Sequence, residues 1–426
     1  MKLIEKILDK NNVRVALEKV IANKGTSGID GMKVEELRDY MNASWPSIKR
    51  SILDRNYKPA PVRRVEIPKP NVGVRKLGIP TVVDRTLQQS IVQILTPIFE
   101  LEFHENSYGF RSGRSCEQAV LRLLEYLNEG YEWIVDIDLE KFFDNVPQDK
   151  LMSYVGRVIQ DPDTESLIRK YLKSGVMENG MYEATELGTP QGGNLSPLLS
   201  NVMLNELDKE LVKRGLRYVR YADDCVIAVG SSASANRVMH TITKWIEQKL
   251  GLKVNATKTH VCRPNKLKYL GFGFYKSPQT KQWTARPHET SVEKFERKLK
   301  QLCKRSWSVS MTERIAKLNS VTRGWINYFS IGAMKGKMEK IDEHLRTMLR
   351  KVIWKQWKTP HKRAWGLRKL GVDNELAKRT SYCGDRYEWV VRRTCVARAI
   401  SKEILTCRGL VSCLDYYLIR HSLKTN

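Results

Sequence analysis

The sequence predicts an α+β fold, a mixed sheet domain with helices on one face, continued by a region of helices alone. Three observations predict it. Hydrophobic spacing switches from a helical to an alternating period near residue 133 and again near 217; helical stretches separate those β-rich segments; and beyond Pro287 the spacing is almost wholly helical. At 426 residues the chain is more than twice an ordinary domain of about 100–200, so two or more packed units are expected. With 41% hydrophobic and 28% charged residues, global disorder is excluded. No run of about 18 uncharged apolar residues occurs, and Met1-Lys2-Leu3-Ile4-Glu5-Lys6 opens no cleavable apolar segment, so an intracellular chain that does not span a membrane is expected.

The elements follow in order. Residues 1–55 read as helical pieces broken at Lys24-Gly25-Thr26-Ser27-Gly28-Ile29-Asp30-Gly31, where glycines call for a loop. Val65–Ile67 and Val74–Leu77 read as two strands around the turn Pro68-Lys69-Pro70-Asn71-Val72-Gly73, a hairpin that presents the cations Lys69 and Arg75. Residues 82–101 and 115–128 have helical spacing. Trp133–Leu139 is β-rich, and its acids Asp136 and Asp138 fall on one strand face. Helices are expected near 147–174 and 195–214. Residues 217–221 and 225–229 form a hairpin with Asp223 and Asp224 at its turn, and a helix at 233–250 with short strands at 252–255 and 267–275 completes the unit. Helices at 290–304, 311–330 and 337–357 predict a small basic bundle, Pro360 marks a boundary, and the tail 361–426 is basic and mostly helical.

Net charge is +27, from 74 Lys and Arg against 47 Asp and Glu. Residues 286–426 carry 32 basic and 13 acidic side chains, leaving 42 and 34 for the first 285, so the last third holds most of the excess. Six of the ten tryptophans lie there too. Cations interleaved with aromatics suit a surface that meets phosphates and stacks bases. The eight cysteines form no C-x-x-C and the seven histidines no ligand-spaced cluster, which argues against zinc or a disulfide framework and fits a reducing cytoplasm.

Two carboxylate sites on β elements, embedded in apolar residues, are costly to bury as bare anions. Hard divalent cations with oxygen ligands answer that need, and a pair about 3.5–4 Å apart is the usual arrangement for in-line phosphoryl transfer. Between the acids, Gly188-Thr189-Pro190-Gln191-Gly192-Gly193-Asn194-Leu195-Ser196-Pro197 joins a strand to a helix. Its glycines permit close backbone approach, Gln191 can offer an amide to a nucleotide, and Asn194 or Ser196 is the expected helix N-cap.

Asp138-Leu139-Glu140-Lys141-Phe142-Phe143, Thr189-Pro190-Gln191-Gly192 and Tyr221-Ala222-Asp223-Asp224, in that order, resemble the successive core motifs of reverse transcriptases. The resemblance implies a right-hand polymerase with fingers, palm and helical thumb, and a reaction in which a primer 3′-OH attacks a dNTP on two Mg²⁺ ions. It selects Asp138 over Asp136, because an aromatic, Phe143, stands five residues on. The implied metal ligands are Asp138, Leu139, Asp223 and Asp224. Lys258, within Leu252–Thr259, resembles the lysine that protonates pyrophosphate. Lys69, Arg75, Lys141, Phe142, Phe143 and Gln191 become the expected dNTP contacts, with Phe143 as steric gate against a 2′-OH. Tyr269-Leu270-Gly271-Phe272 resembles the primer grip at Leu270 and Gly271, and Arg63, Arg64, Arg111 and Arg114 are expected on template or RNA.

Ser107–Arg114, Arg323-Gly324-Trp325-Ile326-Asn327-Tyr328-Phe329 and the N-terminal extension resemble the group II intron-encoded kind, whose thumb also acts as a maturase. Implied partners are group II intron RNA, an RNA template with DNA primer, target DNA and dNTPs in a bacterial cytoplasm, with a homodimer left open. Implied domains are 1–85 (N-terminal extension and fingers), 86–287 (palm with remaining fingers), 288–360 (thumb, or domain X) and 361–426 (basic DNA-binding segment). Many relatives end in an H-N-H endonuclease with paired cysteines, and nothing after Cys413 resembles one, as in the compact type associated with class C introns. Other readings are a splicing cofactor with vestigial polymerase motifs, a non-intron reverse transcriptase with host functions and an RNA-dependent RNA polymerase; the intact acids, Gln191 and the fingers cations argue against the first, the long basic helical tail with Gly324-Trp325-Ile326-Asn327-Tyr328-Phe329 against the second, and Phe143 against the third.

Overall fold

The structure is a computed structural model that describes residues 2–68 and 73–425. The chain divides into two compact units, Met1–Arg263 and Pro264–Asn426. The division falls upstream of residue 287, so the last small sheet belongs with the helices that follow it.

The first unit opens with helices α1 (Leu3–Ile7), α2 (Lys10–Ala22) and α3 (Leu37–Leu53), then strands β1 (Val62–Pro68) and β2 (Val74–Ile79). Helices α4 (Val82–Glu100) and α5 (Cys116–Asn128) precede β3 (Trp133–Ile137). Next come α6 (Phe142–Asn145), α7 (Gln148–Ile159), α8 (Pro162–Leu172) and a hairpin of β4 (Val176–Glu178) and β5 (Met181–Glu183). Helix α9 (Ser196–Lys213), strands β6 (Arg217–Tyr221) and β7 (Asp224–Val229), helix α10 (Ser232–Trp245) with a π-helical turn at Ile246–Leu250, and β8 (His260–Cys262) complete it.

Local chemistry accounts for several starts. Thr81 and Ser231 accept hydrogen bonds from the backbones of Asp84 and Ser234, and Ser115 forms a capping box with Gln118. At α9 neither expected cap is used: Asn194 Nδ2 donates to Gln89 Oε1 at 3.0 Å and Ser196 Oγ to Pro190 O at 2.6 Å, so both side chains hold the preceding loop instead. Residues 252–255 are also no strand. They make one bridge, Val254 with Leu139, because the chain turns at once through Asn255.

Strands β1 and β2 pair antiparallel, and β4 joins β1 in parallel. A second sheet has the order β6-β7-β3-β8. Leu87, Ile91 and Leu95 of α4 and Leu199, Met203 and Leu204 of α9 are buried in the core that unites both helices with this sheet.

The second unit begins with a three-stranded antiparallel sheet of β9 (Lys268–Tyr269), β10 (Phe272–Lys276) and β11 (Trp283–Pro287). Helices α11 (Glu289–Leu302), α12 (Met311–Phe329) and α13 (Lys335–Gln356) follow, then α14 (Pro360–Lys369), α15 (Asn374–Ser381), α16 (Tyr387–Arg393), α17 (Val396–Ala399), α18 (Lys402–Cys407) and α19 (Cys413–Thr425). An aromatic cluster ties sheet to helices: Trp325 stacks on Phe295 at 4.4 Å between ring centres and meets Phe329 at 4.6 Å, and Phe329 lies 4.8 Å from Phe272. Buried Asp342 accepts hydrogen bonds from Cys413 N (2.7 Å) and Leu414 N (3.0 Å), seating the start of α19 on α13. All eight cysteines are free. Among the described residues, no helix is long and apolar enough to cross a membrane.

Candidate active site

Strand β3 runs between β7 and β8, and its register on β7 ends with Ile137 opposite Cys225. One step further along both strands stand Asp138 and Asp224, so the end of one ladder brings together carboxylates that are distant in sequence. Facing positions in such a ladder usually have Cβ atoms about 4.5–5.5 Å apart. Tyr221 pairs with Asp224, which leaves Ala222 and Asp223 as a two-residue turn. Ala222 has φ +57°, the left-handed conformation that the first position of such a turn demands and that glycine adopts most easily.

That turn is held from behind. Arg220 and Asp208 are both fully buried and form a bidentate ion pair, Nε to Oδ1 at 2.8 Å and Nη2 to Oδ2 at 2.5 Å. The remaining donor, Nη1, reaches Ala222 O at 2.9 Å and Asn201 Oδ1 at 3.2 Å. Residues 106–109 run beside β6: Arg220 N donates to Asn106 O (2.9 Å) and Tyr108 N to Arg220 O (2.8 Å). Gly109 then passes so close that a Cβ there would stand 2.2 Å from Ala222 N.

Burial and mutual repulsion dominate the electrostatics. Asp136, on the same strand face as Asp138, is pushed up to about 6, chiefly by desolvation. Asp224 is also pushed up to about 6 by desolvation together with Asp223, Asp136 and Asp138, although its side chain still meets solvent; Lys258 opposes the rise. Asp223 is raised by burial and by Asp138, and Arg75 and Arg220 pull it back. Lys258 Nζ lies 3.3 Å from Asp138 Oδ2. It is placed there because Asp138 O accepts from Asn255 N at 2.8 Å and Asn255 Oδ1 closes the next turn on Thr257 N at 3.1 Å.

A cavity of about 170 Å³ is lined by Arg64, Lys76, Gly78, Phe143, Thr189 and Gln191, among others. Two backbone contacts build it: Thr189 N donates to Phe143 O at 2.7 Å, and Gly78 N to Gln191 O at 2.7 Å. Gly192, with φ +121°, has no room for a side chain, since its Cβ would lie 2.7 Å from Gly78 O. Lys141 is exposed with φ +44°, and Phe143 is half-buried against Phe142. Phe142 itself is 2% exposed and packs into the core, leaving only its backbone for a nucleotide. Leu139 is likewise buried. Lys69 lies outside the described residues.

Arg111, expected on nucleic acid, is turned inward: Nη2 pairs with Glu100 at 2.6 Å and Nη1 donates to His104 O and Ser107 O. Arg114 is half-buried over Tyr108, Arg64 sits 3.7 Å from Glu178, and Arg63 Nη2 donates to Thr26 Oγ1 at 3.4 Å. Leu270 and Gly271 form the tight turn between β9 and β10 in the second unit, with φ +50° and +81°, and Leu270 O accepts from Tyr328 Oη at 2.9 Å. Sequence reasoning missed Arg220, Asp208, Asn201 and Gly109. A signal existed for Arg220, because it alternates with apolar Tyr218 on the inward face of its strand, where a charge demands a partner.

No trio of His, Cys, Asp or Glu among the described residues converges tightly enough to hold a metal unaided. The donor set still fits Mg²⁺, which takes one or two carboxylates and completes its sphere with substrate phosphates and water. Asp136, Asp223 and Asp224, each raised by burial and by neighbouring carboxylates and faced by few cations, present the chemistry that such an ion relieves.

The comparisons with known proteins agree with this geometry. Residues 67–274 match the family model described as reverse transcriptase (RNA-dependent DNA polymerase), and residues 292–371 match the group II intron, maturase-specific domain. Protein YkfC of Escherichia coli (strain K12) is 33% identical over 285 residues, 58% of this chain and 75% of that one. Group II intron-encoded protein LtrA of Lactococcus lactis subsp. cremoris is 39% identical over 214 residues, 48% of this chain and 34% of LtrA. The putative COX1/OXI3 intron 2 protein of Saccharomyces cerevisiae is 25% identical over 416 residues, 82% of this chain and 47% of its own length. This chain thus spans three quarters of the first relative but half or less of the other two. With paired acids at the end of one β ladder and both family matches in the expected order, the chain belongs to the reverse transcriptases, the RNA-dependent DNA polymerases, of the kind that carries a group II intron maturase-specific domain.

Proposed function

We propose that this chain copies group II intron RNA into DNA from a DNA primer at target DNA, and that it also binds the intron RNA to promote splicing. The observation that carries the catalytic half is the register that puts Asp138 beside Asp224 at the end of the β3–β7 ladder. Asp138, Asp223 and Asp224, with the Leu139 carbonyl, hold two Mg²⁺ ions, which when bound acidify the primer hydroxyl and neutralise charge on the departing pyrophosphate.

The chain's own side chains do the rest. Lys69 and Arg75 hold the triphosphate, and Lys141 adds a cation at the same end. Gln191 and Phe143 enclose the sugar and base, with Phe143 excluding a 2′-OH. Lys258 releases its hold on Asp138 to protonate pyrophosphate. Leu270 and Gly271 grip the primer, and Arg63, Arg64 and Arg114 contact the template. The free cysteines suit the reducing cytoplasm of a bacterium.

Asp223→Asn and Asp224→Asn proteins are expected to retain RNA binding and lose primer extension on an RNA template. Normal extension by either would overturn the metal assignment. The splicing half has a separate test: the Asp223→Asn protein is expected still to promote splicing of its intron, because the scaffold role requires no nucleotidyl transfer.

A further inference from the structure

Helices α15, α16 and α17 enclose a cavity of about 650 Å³, within the range of small-ligand sites. Its wall carries Arg379, Arg392, Arg393 and Arg398 and no carboxylate. Glu388 neutralises Arg392, with 2.6 Å between Oε1 and Nε. The other three have no acidic partner among the described residues.

Trp389 stands on the rim of this cavity with 51% of its surface exposed. It also borders a second cavity, of about 470 Å³, where Arg305, Lys351 and Arg386 are balanced by Asp385 and Glu388. Trp325 stacks on Phe295, Trp354 lies under Arg363, Trp307 under Arg314, and exposed Trp365 under Lys369. No ring or cation among the described residues occupies a face of Trp389 in this way. An unclaimed indole face at the rim of a recess lined by arginines and no carboxylate calls for a planar group joined to an anion.

We propose that Trp389 stacks an unpaired base of a single-stranded nucleic acid segment while Arg379, Arg393 and Arg398 hold the phosphates next to it. A duplex does not answer the geometry, because its bases are already stacked on each other and present no open face to the indole. The proposal rests on the nucleic-acid reading of this basic region, and requires no polymerisation.

The test uses the full-length protein without dNTPs. Duplexes are prepared blunt, or with a short single-stranded overhang of DNA or of RNA that carries 2-aminopurine, whose fluorescence is quenched on stacking. The expected results are quenching on either overhang and tighter binding than to the blunt duplex. Trp389→Ala should weaken overhang binding about tenfold, the scale of one stacked base, and leave blunt binding within about twofold. Trp389→Phe should restore most of the loss, and Arg393→Ala with Arg398→Ala should lower the salt slope of overhang binding by about two. Equal losses on blunt and overhang substrates, or absence of quenching with the unaltered protein, would overturn the proposal. An extension assay on the same preparation separates the two readings: quenching without extension would sink the polymerase assignment and leave the base-stacking site standing.

Discussion

The buried guanidinium of Arg220 donates from Nη1 to the carbonyl of Ala222 at 2.9 Å, tying the floor of the first unit to the turn that carries Asp223. A left-handed alanine costs about 1–3 kcal/mol and persists only where its surroundings hold it. Here the holder is an ion pair sealed from water, Arg220 with Asp208, which presents a third donor in a fixed direction.

Removing one partner of that pair strands the other charge. Arg220→Met alone should destabilise the protein by about 3–5 kcal/mol. The double variant Arg220→Met with Asp208→Leu should recover most of the thermal midpoint, because neither charge is left alone. It should still extend primers about fivefold to tenfold more slowly, the loss expected from one hydrogen bond to the turn. Wild-type kinetics in a well-folded double variant would show that the ion pair supports the core only.

Asp136 gives a stability test. Its folded pKa, about 6, lies above the ordinary carboxylate value of 3.8. The folded state therefore favours the protonated form, and stability falls as pH rises through about 6. Asp136→Asn should raise the thermal midpoint in metal-free buffer at pH 7–8 by roughly a few degrees, and the advantage should shrink toward pH 4. Calorimetry across that range checks it; an advantage that grew on acidification would have the wrong sign.

Phe143 lines the cavity of about 170 Å³ with Gln191, fixed by Thr189 N on its carbonyl. Phe143→Ala should raise rNTP relative to dNTP incorporation by about tenfold or more, the scale of a lost steric contact. Single-nucleotide extension with each substrate provides the ratio. An unchanged ratio would assign Phe143 to packing alone.

The net charge of +27 predicts strongly salt-dependent RNA binding. A footprint of about six to ten phosphates loses about 10³–10⁵ in affinity between roughly 50 and 200 mM salt. Filter binding over that range measures the slope, and a shallow one would mean that few of the cations meet the backbone.

Much of the site was legible because its chemistry is written in short strings. The acids at 138, 223 and 224 and the loop at 188–197 fall where alternating strands and glycines put them. Asp136 was visible on the same strand face, yet resemblance favoured Asp138 and hid its electrostatic part. The β4–β5 hairpin and β8 were not legible: each strand has three residues, and the partners Val62 and Asp136 lie far along the chain, so no local period announces them. Asn194 and Ser196 misled because a capping side chain serves equally well to pin a loop, and only the folded backbone decides between the two uses. Arg111 misled for a similar reason, since an arginine in a glycine-rich turn reads as exposed until Glu100 is seen beside it.

The seam where Gly192 meets Gly78 limits how this protein can diversify. A Cβ on Gly192 would crowd the Gly78 carbonyl, and one on Gly78 would stand 2.6 Å from Val62 Cγ2. Gradual drift through slightly larger residues is closed at both places. Descendant lineages are expected to differ around this seam and to keep it bare, so saturation mutagenesis should find a sharp valley of tolerance there.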